Sequence, residues 1–416
     1  MFDRDLWGEI WNTLSRNKLR TFLTAFGVGW GIFMLVIMLG AGNGLANGAK
    51  KGFAGWATNS AFIWTQPTSI PYHGFSRGRR FYFNNDDIGA IIREIPEVEY
   101  LAPRNQLGGW QGGNNVVRNN KTGAFSVYGD MPVVMKIQSS AVDTGRFLND
   151  KDVADQRKVC VIGKRVREVL FEPHEDPIGE YIRINGVFFQ VVGMHRSIRS
   201  SDNAEEDEST IYVPFTTFQN AFNYHNFVSW FSVTAREGTP VSEVEEGIKK
   251  LMARRHDVDP NDPMAFGSFN LEEQFDKMNQ LLIGINLLSW IVGILTLLAG
   301  VIGISNIMLV IIKERTKEIG VRRAIGATPR IIRRQIVLES VSLTLLAGYT
   351  GLTLGVGLLE LLILAGMEGD FFHRPEVDLR TALIALSVLI VSGLFAGLIP
   401  ASRALRINAV DALRAE

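Results

Sequence analysis

Cysteine is almost missing from this sequence. One residue, Cys160, stands among 416, so no internal disulfide can form, and the chain neither requires nor excludes an oxidising compartment. Metal-binding spacings are missing too: the six histidines at 73, 174, 195, 225, 256 and 373 include no HExxH and no other paired spacing. Net charge is absent, with 43 basic and 43 acidic residues, which removes the broad basic field that attracts nucleic acid. A phosphate-cradling GxxxxGK[ST] loop is missing as well, because Gly163-Lys164 runs into Arg165 and lacks the earlier glycine. Neither a GxSxG elbow nor a kinase signature occurs. No catalytic residue, metal ligand or bound cofactor is therefore assigned to this chain.

What the sequence has is hydrophobicity concentrated in four places. The hydrophobic share is 46% and mean hydropathy +0.10, values of a mixed chain above most soluble proteins. Residues 21–42 form a near-continuous apolar run, and 281–312, 341–365 and 379–399 contain three more, each long enough for a helix of roughly 20 residues to cross a bilayer. The first run exceeds a signal-peptide core and follows a leader containing Trp7 and Trp11, which suits an anchor. Trp7, Ile10, Trp11 and Leu14 fall at helical spacing, so residues 1–20 read as an amphipathic helix, lying on the membrane or packed on its own protein.

Positive charge then orients the spans. Arg16, Lys18 and Arg20 precede the first, the loop between the second and third holds Lys313, Arg315, Lys317, Arg322, Arg323, Arg330, Arg333 and Arg334, and Arg403, Arg406 and Arg414 follow the fourth. Basic flanks stay cytoplasmic, so both termini and the basic loop are expected inside, with the long connection 43–280 and the short loop 366–378 outside. Small-xxx-small pairs, Gly27/Gly31, Ala299/Gly303, Gly351/Gly355 and Gly393/Gly397, are expected to let helices pack closely. The one carboxylate noted inside a span, Glu360, reads as interfacial.

The connection of about 230 residues carries mixed α/β signals. Asn85 or Asp86 can cap a helix with Ile88, Ile91, Ile92 and Ile95 on one face, and VEYLAP follows as a strand. FVSWFSVTA alternates like a strand, and Thr239-Pro240 opens a helix with Val241, Val244, Ile248 and Leu251 on one face. Between these pieces Asn185-Gly186 separates two apolar strands, a strong hairpin signal, and 159–162 and 211–213 add short strands. The acidic stretch 201–210 (SDNAEEDEST) reads as a loop, solvated or used for docking. Residues 42–57 and 271–280 are candidates to extend the spans as a stalk, although Gly42, Gly44 and Gly48 count against a stiff helix.

After the second span the chain reads KERTKEIGVRRAIGATPRIIRRQIVLES. Glu318 and Arg322 are at a helix-stabilising spacing, Gly326 can end that helix, and Thr328-Pro329 can start another. This loop (Glu314 to Ala327), the ending Pro400-Ala401-Ser402-Arg403-Ala404 with Ala412-Leu413-Arg414, and the middle pattern Gly145-Arg146-Phe147, Val161-Ile162-Gly163, Asp176-Pro177-Ile178-Gly179 and Val191-Val192-Gly193 resemble the FtsX-like ABC permeases, and among them the MacB-like group.

The resemblance implies a fold class: an α-helical inner-membrane protein of four spans with a large inserted α/β periplasmic core domain of two subdomains. The expected map is a leader 1–20, spans 21–42, 281–312, 338–365 and 379–399, a core domain 43–280 made of 58–108 plus 226–272 with 109–225 inserted, a cytoplasmic coupling loop 313–337, a short outer loop 366–378 and a tail 400–416. It further implies a non-catalytic permease that dimerises with a second copy or a paralogue. Glu318, Ile319, Arg322, Arg323, Ala324 and Ile325 would dock on an ABC ATPase dimer, expected as a separate subunit holding ATP and Mg2+. Membrane lipids, a periplasmic adaptor and an outer-membrane channel are the other expected partners. ATP-driven movement would pass to the outer domain by mechanotransmission. Efflux of an amphiphile, peptide or antibiotic, release of lipoproteins, and control of a cell-wall hydrolase all remain open functions.

Overall fold

The computed structural model describes residues 18–53, 55–108, 113–138, 140–198, 202–366, 369, 372–376 and 379–405. Most of the leader 1–20 and all of 406–416, with Ala412-Leu413-Arg414, lie outside them. The chain divides into two compact units, Lys50–Met278 and Met1–Ala49 with Asn279–Glu416. Its elements run α1 (Lys18–Gly52), β1 (Ser60–Thr65), β2 (Phe83–Asn84), α2 (Asn85–Glu94), β3 (Val98–Gln106), β4 (Asn114–Arg118), β5 (Lys121–Asp130), α3 (Val134–Ile137), β6 (Ala141–Gly145), α4 (Asp150–Ala154), β7 (Val159–Gly163), α5 (Lys164–Leu170), β8 (Tyr181–Ile184), β9 (Val187–Arg196), α6 (Asp202–Glu208), β10 (Thr210–Pro214), α7 (Phe215–Ala221), β11 (Phe227–Val228), β12 (Trp230–Ala235), α8 (Val241–Arg255), β13 (Phe266–Asn270), α9 (Leu271–Glu314), α10 (Thr316–Ala324), α11 (Pro329–Leu364) and α12 (Leu379–Ala404).

In the α/β unit, β3, β12, β1 and β13 lie side by side with antiparallel pairings. Alternation along β1 sends Ala61 and Ile63 into a core with Ile91 of α2 and Val244, Ile248 and Leu251 of α8. Phe62 points the other way, toward Val134 and Ile137 of α3, as a period of two requires. The N-cap of α2 is Asn84, one residue earlier than expected, in a capping box with Asp87. Ile92 is exposed because the buried face of α2 is set by Asp87, Ala90 and Ile91.

The remaining large strands close on themselves. β5 pairs with β4, β4 with β8, β8 with β9, β9 with β7, β7 with β10, and β10 returns in parallel to β5. Ring closure removes free strand edges. It gives a second core, including Val116, Val127, Ile162, Ile184, Phe189 and Val213, capped by Phe218 of α7. The β8–β9 hairpin turns on Asn185 and Gly186, with φ of 43° and 94°, the double positive φ of a type I′ turn. The acidic stretch contains a helix, α6, instead of a loop, since Asp and Glu at a helix start complement its dipole.

In the other unit, α1, α9, α11 and α12 are 35, 44, 36 and 26 residues long, and each is long and apolar enough to cross a membrane. They share a core of Val28, Ile32, Leu297, Ile304, Ala347, Leu389 and Ala396. Outward they expose Leu287, Leu295, Leu354, Leu361, Phe395 and Leu398, the kind of apolar surface that marks a membrane or protein contact. α1 continues through Gly42, Gly44 and Gly48 to Gly52 and α9 begins at Leu271, so both helices extend past the apolar runs as the stalk reading expects, and the glycines do not break the first. A Cβ at Gly44 would lie 2.8 Å from the Phe372 ring. Beside it, Asn43 and Asn47 donate to the carbonyls of Glu376 and Arg374, at 3.0 and 3.1 Å. Close packing at Gly42 and Gly44 explains why small residues stand there despite a helical cost of roughly 1 kcal/mol each.

Candidate functional site

The basic loop folds as expected: α10 follows α9 after Arg315, Gly326 takes φ of +106° beyond its end, and Thr328-Pro329 opens α11. Only a residue without Cβ holds that φ without strain. Eight basic residues against Glu314 and Glu318 over 313–334 leave a net excess of six positive charges (8 − 2).

α10 has two faces. Inward, Ile319 packs on a core that includes Ile312, Ile332 and Ile336, and Gly320 is buried. Glu318 bridges Arg315 Nε and Arg322 Nη2, each at 2.9 Å. Arg322 Nη1 also donates to Gln335 Oε1 of α11 at 2.9 Å, and Arg323 Nη1 to the Leu405 carbonyl at 3.3 Å. Outward stand Val321, Ala324 and Ile325, the last 82% exposed.

The six residues singled out for docking are thus together in sequence but divided in space. Ala324 and Ile325 face solvent, Ile319 faces the bundle, and Glu318, Arg322 and Arg323 are tied to their own chain. Val321, 41% exposed, was not among the residues singled out, and only the tertiary contacts show that it shares the outward face with Ala324 and Ile325. Gln335 and Glu339 were missed too. The available signal for Glu339 was a lone carboxylate at the edge of an apolar run; it is 4% exposed, and its Oε2 lies 3.6 Å from Arg315 Nη1.

Of the small residues singled out for helix packing, five meet a neighbouring helix. A Cβ at Gly31 would lie 3.4 Å from Thr296, at Gly355 2.8 Å from Val36, at Gly393 3.1 Å from Thr344 and at Gly397 3.0 Å from Ser340, and at Gly351 it would run into the Gly29 carbonyl. Gly27 and Gly303 have nothing within 4 Å of that position, and Ala299 is exposed. Among the described residues no group of His, Cys, Asp or Glu is arranged to hold a metal ion. A cleft in the α/β unit is lined by Asn59, Glu99, Arg236, Glu237, Thr239 and Glu272, mostly charged or polar residues.

These features define a class: a membrane-type four-helix protein with a large α/β domain between its first two long helices and a basic helical turn between the second and third. A family model described as MacB-like periplasmic core domain matches residues 21–251, and one described as FtsX-like permease C-terminal matches 290–409. The chain belongs to the MacB-like, FtsX-like family of ABC transporter permeases. It is 29% identical over 407 residues to the pyoverdine export ATP-binding/permease protein PvdT of Pseudomonas putida, covering 98% of this chain and 59% of the relative. With the macrolide export ATP-binding/permease protein MacB of Bdellovibrio bacteriovorus it shares 28% over 405 residues, covering 97% and 60%. The chain therefore spans about three fifths of the length of these relatives. The periplasmic region of MacB from Actinobacillus actinomycetemcomitans matches 55% of this chain and 95% of that one, at 18% identity and a TM-score of 0.43.

Proposed function

We propose that this chain is the membrane-spanning permease of an ABC exporter, and that α10 is where an ATPase dimer docks. The observation that carries this is the outward face of α10. Val321, Ala324 and Ile325 are solvent-facing on a helix whose other side is fastened to the bundle by Ile319 and by the hydrogen bonds of Arg322 to Gln335 and of Arg323 to the Leu405 carbonyl. Exposed aliphatic side chains on a rigid, positively charged turn suit a protein interface better than water. ATP and Mg2+ belong to the ATPase, and the permease converts its cycle into movement of the α/β domain, whose two cores are read as two subdomains. The Lys/Arg distribution supports an inner-membrane orientation with both termini and α10 cytoplasmic and the α/β domain periplasmic. The relatives named as exporters favour efflux of an amphiphile, peptide or antibiotic, with a second permease copy, membrane lipids, a periplasmic adaptor and an outer-membrane channel as partners.

The test is an affinity pull-down from native membranes in mild detergent, for the unaltered chain and for Val321→Glu with Ile325→Glu. Both positions are exposed, so the variant is expected to insert and fold normally while ATPase recovery falls at least tenfold. Unchanged recovery would remove α10 as the docking segment. Co-recovery of an adaptor and an outer-membrane channel supports export, whereas a wall hydrolase or lipid-linked cargo would replace export with signalling or lipoprotein release. Reversal of Arg322 and Arg323 is also expected to abolish coupling, but it breaks internal contacts to Glu318, Gln335 and Leu405 as well.

A further inference from the structure

A carboxylate on an apolar helix is costly unless it is paired, and Glu339 is one. It lies on the face of α11 that also buries Ile332 and Ile336, about two turns and one turn earlier. Its side chain borders a cavity of about 30 Å³ that Arg315, Arg322 and Gln335 line together with Met308, Ile312, Ile332 and Ile336. Arg315 Nη1 lies 3.6 Å from Glu339 Oε2. Arg315 is the residue between α9 and α10, where the chain turns, and its guanidinium also grips Glu318 of α10. The corner is thus held from one side by its own next helix and from the other by α11.

We propose that Glu339 is a positioning residue for α10: its buried carboxylate anchors Arg315, so the α9–α10 corner is fixed to α11 and α10 moves with α11 instead of swinging at the end of α9. The inference rests on the reading of α10 as the docking segment only for its consequence in coupling. The geometry itself can be tested on the chain alone. Ile319 and the Arg322–Gln335 hydrogen bond also seat α10 on α11.

The experiment is peptide-resolved hydrogen exchange of the full chain in lipid nanodiscs, comparing the unaltered protein, Glu339→Gln, and the charge swap Arg315→Glu with Glu339→Arg. Glu339→Gln keeps the shape but not the charge, and is expected to speed exchange over 316–324 at least fivefold while 341–360 stays within twofold. The swap is expected to return 316–324 to within twofold of the unaltered protein. Unchanged exchange over 316–324 in Glu339→Gln would overturn the proposal. Equal acceleration along all four long helices would overturn it too, since Glu339 would then support the bundle and not α10. Failure of the swap to rescue would show that the Arg315 pairing is not what Glu339 supplies. A second readout, ATPase co-recovery with Glu339→Gln, separates the two readings: faster exchange with normal recovery leaves the positioning role standing and removes α10 as the docking segment.

Discussion

Asp87 is fully buried in the α/β unit yet surrounded by donors. It closes the cap of α2, receives Arg255 Nε at 2.7 Å and lies 2.7 Å from His256 Nε2. Burial alone would raise its pKa, but the side-chain contacts of His256 and Arg255 and the backbone N–H of Asn84 outweigh burial and hold it below the ordinary 3.8. A carboxylate depressed in the folded state adds stability above its unfolded pKa, and that stability is lost as pH falls through the folded value. Thermal unfolding of this unit, followed by tryptophan fluorescence in the full chain, is therefore expected to lose stability below pH 3.8. Asp87→Asn should flatten that dependence and cost about 1–3 kcal/mol at neutral pH. An unchanged acid limb would show that Asp87 is not the group responsible. The sequence offered Asn85 or Asp86 as the cap and not Asp87, whose partners Arg255 and His256 lie 168 and 169 positions away, beyond any local pattern.

Helix punctuation was readable at the scale of elements because its causes are local. Gly326, Thr328-Pro329 and Asn185-Gly186 each act on their own backbone, and each does so where expected. Small-residue spacing within a helix, by contrast, does not say which glycine meets a partner. Gly351 abuts the Gly29 backbone and Gly27 has open space, although both were read from the same motif. Gly351→Leu is accordingly expected to destabilise the helical unit by about 1–3 kcal/mol, whereas Gly27→Leu should not destabilise it and, by removing a helical glycine, should stabilise it by up to about 1 kcal/mol, measured by thermal melts in detergent. Equal effects would contradict this packing of α1 on α11. Acidic residues 202–208 were misread for a related reason: charge suggests solvation, and a solvated segment can still be a helix.

For the whole molecule, orientation is the property that charge distribution assigns. In a Cys160→Ser background, a cysteine in place of the exposed Glu237 is expected to react with a membrane-impermeant maleimide from the periplasmic side, and one in place of Ile325 only after lysis. The opposite labelling would invert the topology and with it the proposed place of the ATPase.

Hydropathy, Lys/Arg placement and the loop motif sufficed by themselves for four long helices, a large domain after the first and the family, because each depends on composition over a window or on residues adjacent in the chain. The closure of six strands into a ring, the division of α10 into fastened and free faces, and the pairing of Glu339 with Arg315 were decided only by the tertiary structure. Those features join residues tens of positions apart, where the outcome depends on which surfaces exclude water from one another.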